Sequence, residues 1–198
     1  MKPLILLTLL FTSMNVFAQQ QTFDITTFTA PAGWEQKPSE AGIQFIKEDT
    51  TTGAYCVITL FKSAPATTNA KENFELAWTS LVKDMIEATD KPVMGASASE
   101  DGWEVLTGHI NFEREGIKGV ALLVNSSGFE KMVNVVILTN SDVFEKNISG
   151  FLESITLKKP GPAENNNSSV AGTWGISSVS ASYTNMTTNQ SSILKPYT

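Results

Sequence analysis

Between positions 69 and 88, in NAKENFELAWTSLVKDMIEA, the apolar residues Phe74, Ala77, Trp78, Leu81, Val82, Met85 and Ile86 recur at three- and four-residue steps. That spacing draws one stripe along a helix. Asn69 stands where an N-cap is expected, and Glu72, three residues on, has the spacing to complete a capping box. A second helix is predicted in SDVFEKNISGFLESI (141–155), where Phe144, Ile148, Phe151, Leu152 and Ile155 share a face and Asp142 with Glu145 repeats the start signal. Each helix is apolar on one face only, so each should lie over something flat.

The flat partner is predicted by the runs GIQFIKE, AYCVITLFK, WEVLTGHINFE, IKGVALLVN and KMVNVVILT, which are short and β-rich. Links such as Glu113-Arg114-Glu115-Gly116 and Asn125-Ser126-Ser127-Gly128 read as turns, too short for a parallel crossover, so the strands should be antiparallel neighbours. Ala54 to Phe61 and Met132 to Leu138 are apolar on both alternating faces, which calls for cover on both sides. The expected fold class is α+β, an antiparallel β-sheet sandwiched by helices (α/β/α). Its order is strands, long helix, three-strand meander, final helix.

The two ends of the chain are of another kind. MKPLILLTLLFTSMNVFA (1–18) sets Lys2 before an apolar core and ends on Val16-Phe17-Ala18, a secretory signal peptide with cleavage expected between Ala18 and Gln19. Its apolar run is shorter than the about 20 residues a membrane span needs, so no membrane insertion is expected after cleavage. The packed domain is expected over 19–159 and a Pro/Gly/Asn/Ser linker over 160–169. Residues 170–198 are expected to form a flexible C-terminal segment, an orphan strand, a disordered tail or a truncated second domain, with Val170, Trp174, Ile176, Val179 and Tyr183 more apolar than disorder favours.

The opening FDITTFTAPAGWEQ, with its Pro31, Gly33 and Trp34, is followed by a hairpin, a Trp-bearing helix, a meander and a closing FLESI helix. In that order of elements the chain resembles, over about 22–159, the PsbP-like superfamily. That group includes the photosystem II extrinsic protein and DcrB-type bacterial periplasmic proteins, and is similar in fold to Ran-binding proteins of the Mog type. The resemblance implies an α/β/α sandwich and a non-enzymatic binding or accessory role, and carries over no site residue. Separately, Gly172-Thr173-Trp174 resembles the first strand of lipocalin-like domains, which close barrels around apolar ligands.

Charge narrows the partners. The net charge is −6, and removing the signal with Lys2 makes it −7, 13 basic against 20 acidic residues. Arg114 is the sole arginine. A chain so short of clustered cations is a poor partner for nucleic acid or for anionic lipid headgroups. Cys56, the one cysteine, can form no intramolecular disulfide and sits in an apolar run, where a buried core residue is expected rather than a nucleophile.

Reactive constellations are sparse. His109, the one histidine, shares a strand face with Trp103, Val105, Thr107 and Asn111, and a hydrolase would have to be built on it or on a carboxylate pair. One His and one Cys make a thin zinc set. Glu48-Asp49, Glu100-Asp101 and Glu113 with Glu115 lie at strand ends and are expected to be solvated turns. Trp78 is expected in the core, while Trp34 and Trp103 should plug a sheet edge or offer a ligand platform. The glycines of GIKG cradle no phosphate, and neither cofactor nor metal is expected. Asn-x-Ser/Thr sequons occur at Asn147, Asn166, Asn167, Asn185 and Asn189, incidental in the bacterium to which the short signal and the DcrB-like resemblance point.

The sequence thus predicts a secreted or periplasmic non-enzymatic module that binds a protein or small-molecule ligand through a sheet edge or inter-element groove. The alternatives are a carrier of an apolar small ligand through a truncated lipocalin-like second domain and a hydrolase using His109 or a carboxylate pair.

Overall fold

The computed structural model describes residues 20–114 and 116–159, with two short strands at 182–184 and 191–193. Strands β1 (Gln20–Phe23) and β2 (Thr26–Thr29) form a hairpin, followed by β3 (Glu35–Pro38), β4 (Gly42–Asp49), β5 (Ala54–Phe61) and β6 (Ala64–Pro65). Helix α1 (Ala70–Trp78) continues through a π-helical turn, Thr79–Lys83, into the single turn α2 (Asp84–Ile86). Then come β7 (Val93–Met94), β8 (Ala98–Glu100), β9 (Trp103–Arg114), β10 (Ile117–Gly128) and β11 (Lys131–Thr139). A 3-10 turn, Asp142–Phe144, leads into α3 (Glu145–Glu153), and β12 (Thr156–Leu157) follows.

The main sheet runs β3-β4-β5-β11-β10-β9-β7, with β6 added to β11 and β8 to β9. Every pairing is antiparallel. A smaller sheet is ordered β1-β2-β12. Strands make up 50% of the structure and helices 21%, so the fold is mixed α+β with the antiparallel sheet dominant.

Alternate residues of the central strands enter two separate cores. Leu122 and Val124 of β10 and Val135 and Ile137 of β11 pack with Phe144, Ile148, Phe151, Leu152 and Ile155 of the α3 region and with Phe28 of β2. Ala121, Leu123 and Val136 point the other way and meet Phe74, Ala77, Trp78, Val82 and Ile86. Strands β10 and β11 thereby remove apolar side chains from water on both of their faces, the main force holding the two cores together.

Several expectations are corrected by this packing. Met85, placed on the helix stripe by α-helical spacing, is 40% exposed, whereas Ile86 is buried. The π turn is the cause, because it takes one more residue to come round and everything after it lags. Two adjacent hydroxyls favour it: Thr79 donates to the Glu75 carbonyl at 2.9 Å and Ser80 to that of Leu76 at 2.8 Å, and such back-bonding bends helices. Asn69 does cap α1, accepting from the backbone N–H of Lys71 and Glu72. The capping box is altered, since Glu72 accepts from the Asn69 side-chain amide and Thr67 Oγ1 takes the Asn69 backbone N–H instead. Ahead of the last helix, the 3-10 turn is capped by Ser141, whose hydroxyl accepts from Val143 N–H, and not by Asp142, while α3 itself begins after Phe144 without a side-chain cap.

The turn expected at Asn125–Gly128 lies further on. Those residues extend β10, and the reversal falls on Phe129 and Glu130, between Gly128 and its partner Lys131. Strand β11 is covered on both faces, but Tyr55, Val57, Thr59 and Phe61 of β5 are only half-buried on one side. Helix α1 lies over β9 and β10, so its cover thins toward β5.

The expected signal peptide, its cleavage point, the linker 160–169 and Trp174 lie outside the described residues, as do the sequon asparagines at 166, 167, 185 and 189. Of the segment beyond the linker, Ser182–Thr184 (β13) pairs antiparallel with Ser191–Ile193 (β14). Among the described residues no helix is long and apolar enough to cross a membrane.

Candidate functional site

Where α2 ends, Glu87 adopts a left-handed conformation (φ 54°) and reverses the chain, a helix-ending geometry more often given to glycine. The Ala88 N–H then bonds back to the Lys83 carbonyl at 3.0 Å. Arg114 fastens the same end: its guanidinium donates to the Met85 carbonyl at 2.9 Å and approaches the Glu87 carboxylate at 3.9 Å. A cation there satisfies helix carbonyls that have no partner in the helix. Residues 89–92 are thus returned along α1 toward β7, the short strand at the sheet edge.

Between α1 and this returning segment lies an open groove of about 710 Å³. Its apolar lining comes from Phe74, Trp78, Pro92, Met94 and Leu106. Phe74 and Trp78, one helical turn apart, stack with ring centroids 6.0 Å apart and planes 18° from parallel. Gly108 allows Phe74 this close, because a β-carbon there would stand 2.6 Å from Phe74 Cζ. Strand β7 pairs only Val93 with His109 and Met94 with Gly108, and both apolar side chains are exposed, by 59% and 48%.

Charges ring the groove: Lys71, Lys83 and Lys91 with Glu75 and Asp90. Lys71 lies 4.0 Å from Glu75 across one helical turn. Thr79 and Lys83, the two ends of the π turn, both line it, and π turns often mark functional positions. A second hollow of about 730 Å³ adjoins it at the start of α1, shares Lys71 and Leu106, and is more polar, with Thr68, Ser97, Ser99 and Glu104.

The residues singled out from the sequence are not brought together. His109 is half-buried on the opposite face of β9 from Gly108, and burial lowers its pKa below the ordinary value. Cys56 is fully buried, and desolvation pushes its thiol up to about 12, far from a working nucleophile. Asp49 accepts from Thr52 Oγ1 at 2.8 Å and Thr51 N–H at 2.9 Å, closing the β4–β5 turn, and these bonds lower its pKa. Glu100-Asp101 belongs to the β8–β9 hairpin, where Asp101 and Gly102 both have positive φ. Glu113 meets Lys118 at 3.8 Å across the β9–β10 pair, and its expected companion at 115 lies outside the described residues. Asn147 is exposed on α3.

Trp34 and Trp103 pack against other rings. Trp34 meets Phe144 edge-on at 5.7 Å, and the buried Trp103 meets Phe129 edge-on at 5.5 Å. Trp78 is buried, as the helix stripe predicts, yet it also lines the groove.

Sequence reasoning missed the groove because its parts come from α1, β7, β9 and a connection with no motif. The available signal was Lys71, Lys83 and Lys91 flanking the apolar helix stripe in an acidic chain. It also missed a buried polar pair on the same sheet face: Asn125 Nδ2 donates to Asn134 Oδ1 at 2.7 Å, beside Leu106 in register. Asn125 Oδ1, Trp103 Nε1 and Thr107 Oγ1 are buried without a hydrogen-bond partner among the described residues.

No family model matches the sequence, and no curated protein matches it. Solved structures do match, among them a crystal structure from Bacteroides thetaiotaomicron VPI-5482 at 14% identity and a TM-score of 0.43. That match covers 70% of this chain and 47% of the other, so the chain spans about half the length of that protein. At this level the likeness supports no functional argument.

Proposed function

We propose that this protein is a secreted or periplasmic non-enzymatic binding module that takes a small, largely apolar ligand into the groove between α1 and β7. The groove carries the reading: it is open to solvent, lined by Phe74, Trp78, Pro92, Met94 and Leu106, and about 710 Å³ in volume. Small-molecule sites are apolar concavities of about 300–1,000 Å³ with a few polar groups at the rim. A PsbP-like α/β/α sandwich is the architecture proposed around it. The α1 and α3 clusters on alternate sides of β10 and β11 support that arrangement. Delivery through a secretory signal rests on the pattern of residues 1–18.

The test is titration with the neutral fluorophore N-phenylnaphthylamine, whose emission rises in apolar surroundings. Saturable binding is expected, weakened about ten-fold by Met94→Asp, since a carboxylate must lose water to stay in an apolar site. Met94 is 48% exposed, so the variant should fold. No saturable binding, or equal affinity in the variant, would remove the groove from the account.

A further inference from the structure

Resting on that reading of the groove, we propose that its ligand is an anionic amphiphile, a single acyl chain with a carboxylate head, held by Lys83 and Lys91. The chain as a whole has a net charge of −6, yet the groove rim carries three lysines against two acids. An acidic protein with a locally positive rim concentrates counter-charged ligands there. The three lysines differ in what they already hold. Lys71 is paired with Glu75 one turn along the helix. Lys83 and Lys91 form no ion pair among the described residues, and both are exposed.

Two features of the backbone bring these lysines to the groove lining. The π turn carries Thr79 and Lys83 to the groove, and the Ala88-to-Lys83 hydrogen bond folds the connection bearing Lys91 back against it. The lining also includes Trp78 and Phe74, two stacked rings, with Leu106 and the edge residue Met94. The stretch of helix from Lys71 to Lys83 is about 18 Å long, a narrow track suited to an extended chain. Glu75 and Asp90 offset two of the three lysines, so the rim matches a head of single negative charge such as a carboxylate.

The experiment is displacement of N-phenylnaphthylamine by palmitate and by hexadecanol, each below its aggregation concentration, on the full chain. Palmitate is expected to bind about five- to ten-fold tighter than hexadecanol, the scale of one or two partly exposed charge contacts. The preference should shrink as salt is raised. In the double variant Lys83→Gln with Lys91→Gln, palmitate should fall to the level of hexadecanol while hexadecanol is unchanged. Equal displacement by both in the native protein, or a palmitate preference that survives the double variant, overturns the inference and leaves the groove reading standing. Displacement by an acidic amphipathic peptide but by neither lipid also overturns it and assigns the groove to a protein partner. If the fluorophore itself does not bind, the groove reading fails with it.

Discussion

The ring of Phe74 on α1 occupies the space where any residue but glycine at position 108 of β9 would carry its β-carbon, with Cζ 2.6 Å from that point. The close approach seats the helix on the sheet and sets the floor of the groove, since Phe74 lines it and Gly108 pairs with Met94 at its edge. Gly108→Ala is therefore expected to cost about 1–3 kcal/mol, the usual range for overpacking a well-filled core. Urea denaturation followed by tryptophan emission would measure it. An unchanged midpoint would mean that the helix yields without strain.

The opposite core depends on three rings. Phe151 of α3 lies 5.8 Å from Phe28 and 5.2 Å from Phe45, centroid to centroid, and all three are fully buried. Phe151→Ala should destabilise the fold by about 3–5 kcal/mol, combining lost burial with the cavity left behind. A loss below 1 kcal/mol in the same denaturation experiment would show that α3 contributes little to the cooperative unit.

The β10–β11 turn holds two non-glycine residues in the left-handed region, Phe129 at φ 52° and Glu130 at φ 61°. Phe129 is retained there by its contacts: its ring meets Trp103 edge-on and Gly102 closely, and Lys159 Nζ lies 5.8 Å over its face. Glu130 offers its carbonyl to the Ala66 N–H through backbone alone, a bond any residue could make. Glu130→Gly should raise stability, by up to about 1 kcal/mol, because glycine adopts positive φ without steric cost while paying more chain entropy. A fall in thermal midpoint would refute this.

His109 gives a pH dependence of definite sign. Burial favours its neutral form, so the folded pKa lies below the ordinary 6.5. Below that value the unfolded chain takes up a proton that the folded one resists, so stability falls with pH until the folded pKa is also passed. Thermal midpoints followed from neutral pH to about pH 5 should decline less in His109→Gln than in the native chain. Parallel declines would show that His109 is not the source.

Much of this fold was legible because burial writes a period into the residues that need it. Phe144, Ile148, Phe151, Leu152 and Ile155 repeat at helical spacing and all five are buried. The five β-rich runs coincide with β4, β5, β9, β10 and β11. The turn at Phe129-Glu130 was not legible, since neither residue type favours positive φ and the contacts that hold Phe129 there come from residues 102, 103 and 159. Met85 went astray for a related reason: a π turn set by Thr79 and Ser80 shifts a stripe that α-helical counting assumes to be straight.

The sequence by itself determined the two amphipathic helices, the antiparallel strands and the buried state of Cys56, because each follows from residues near in the chain and from their affinity for water. The tertiary structure alone decided that Lys83, Lys91, Trp78, Met94 and Leu106 share one groove. They come from a helix end, a connection and two strands. What joins them is the close seating of Phe74 on Gly108 and the reversal at Glu87, contacts between distant residues that no local period encodes.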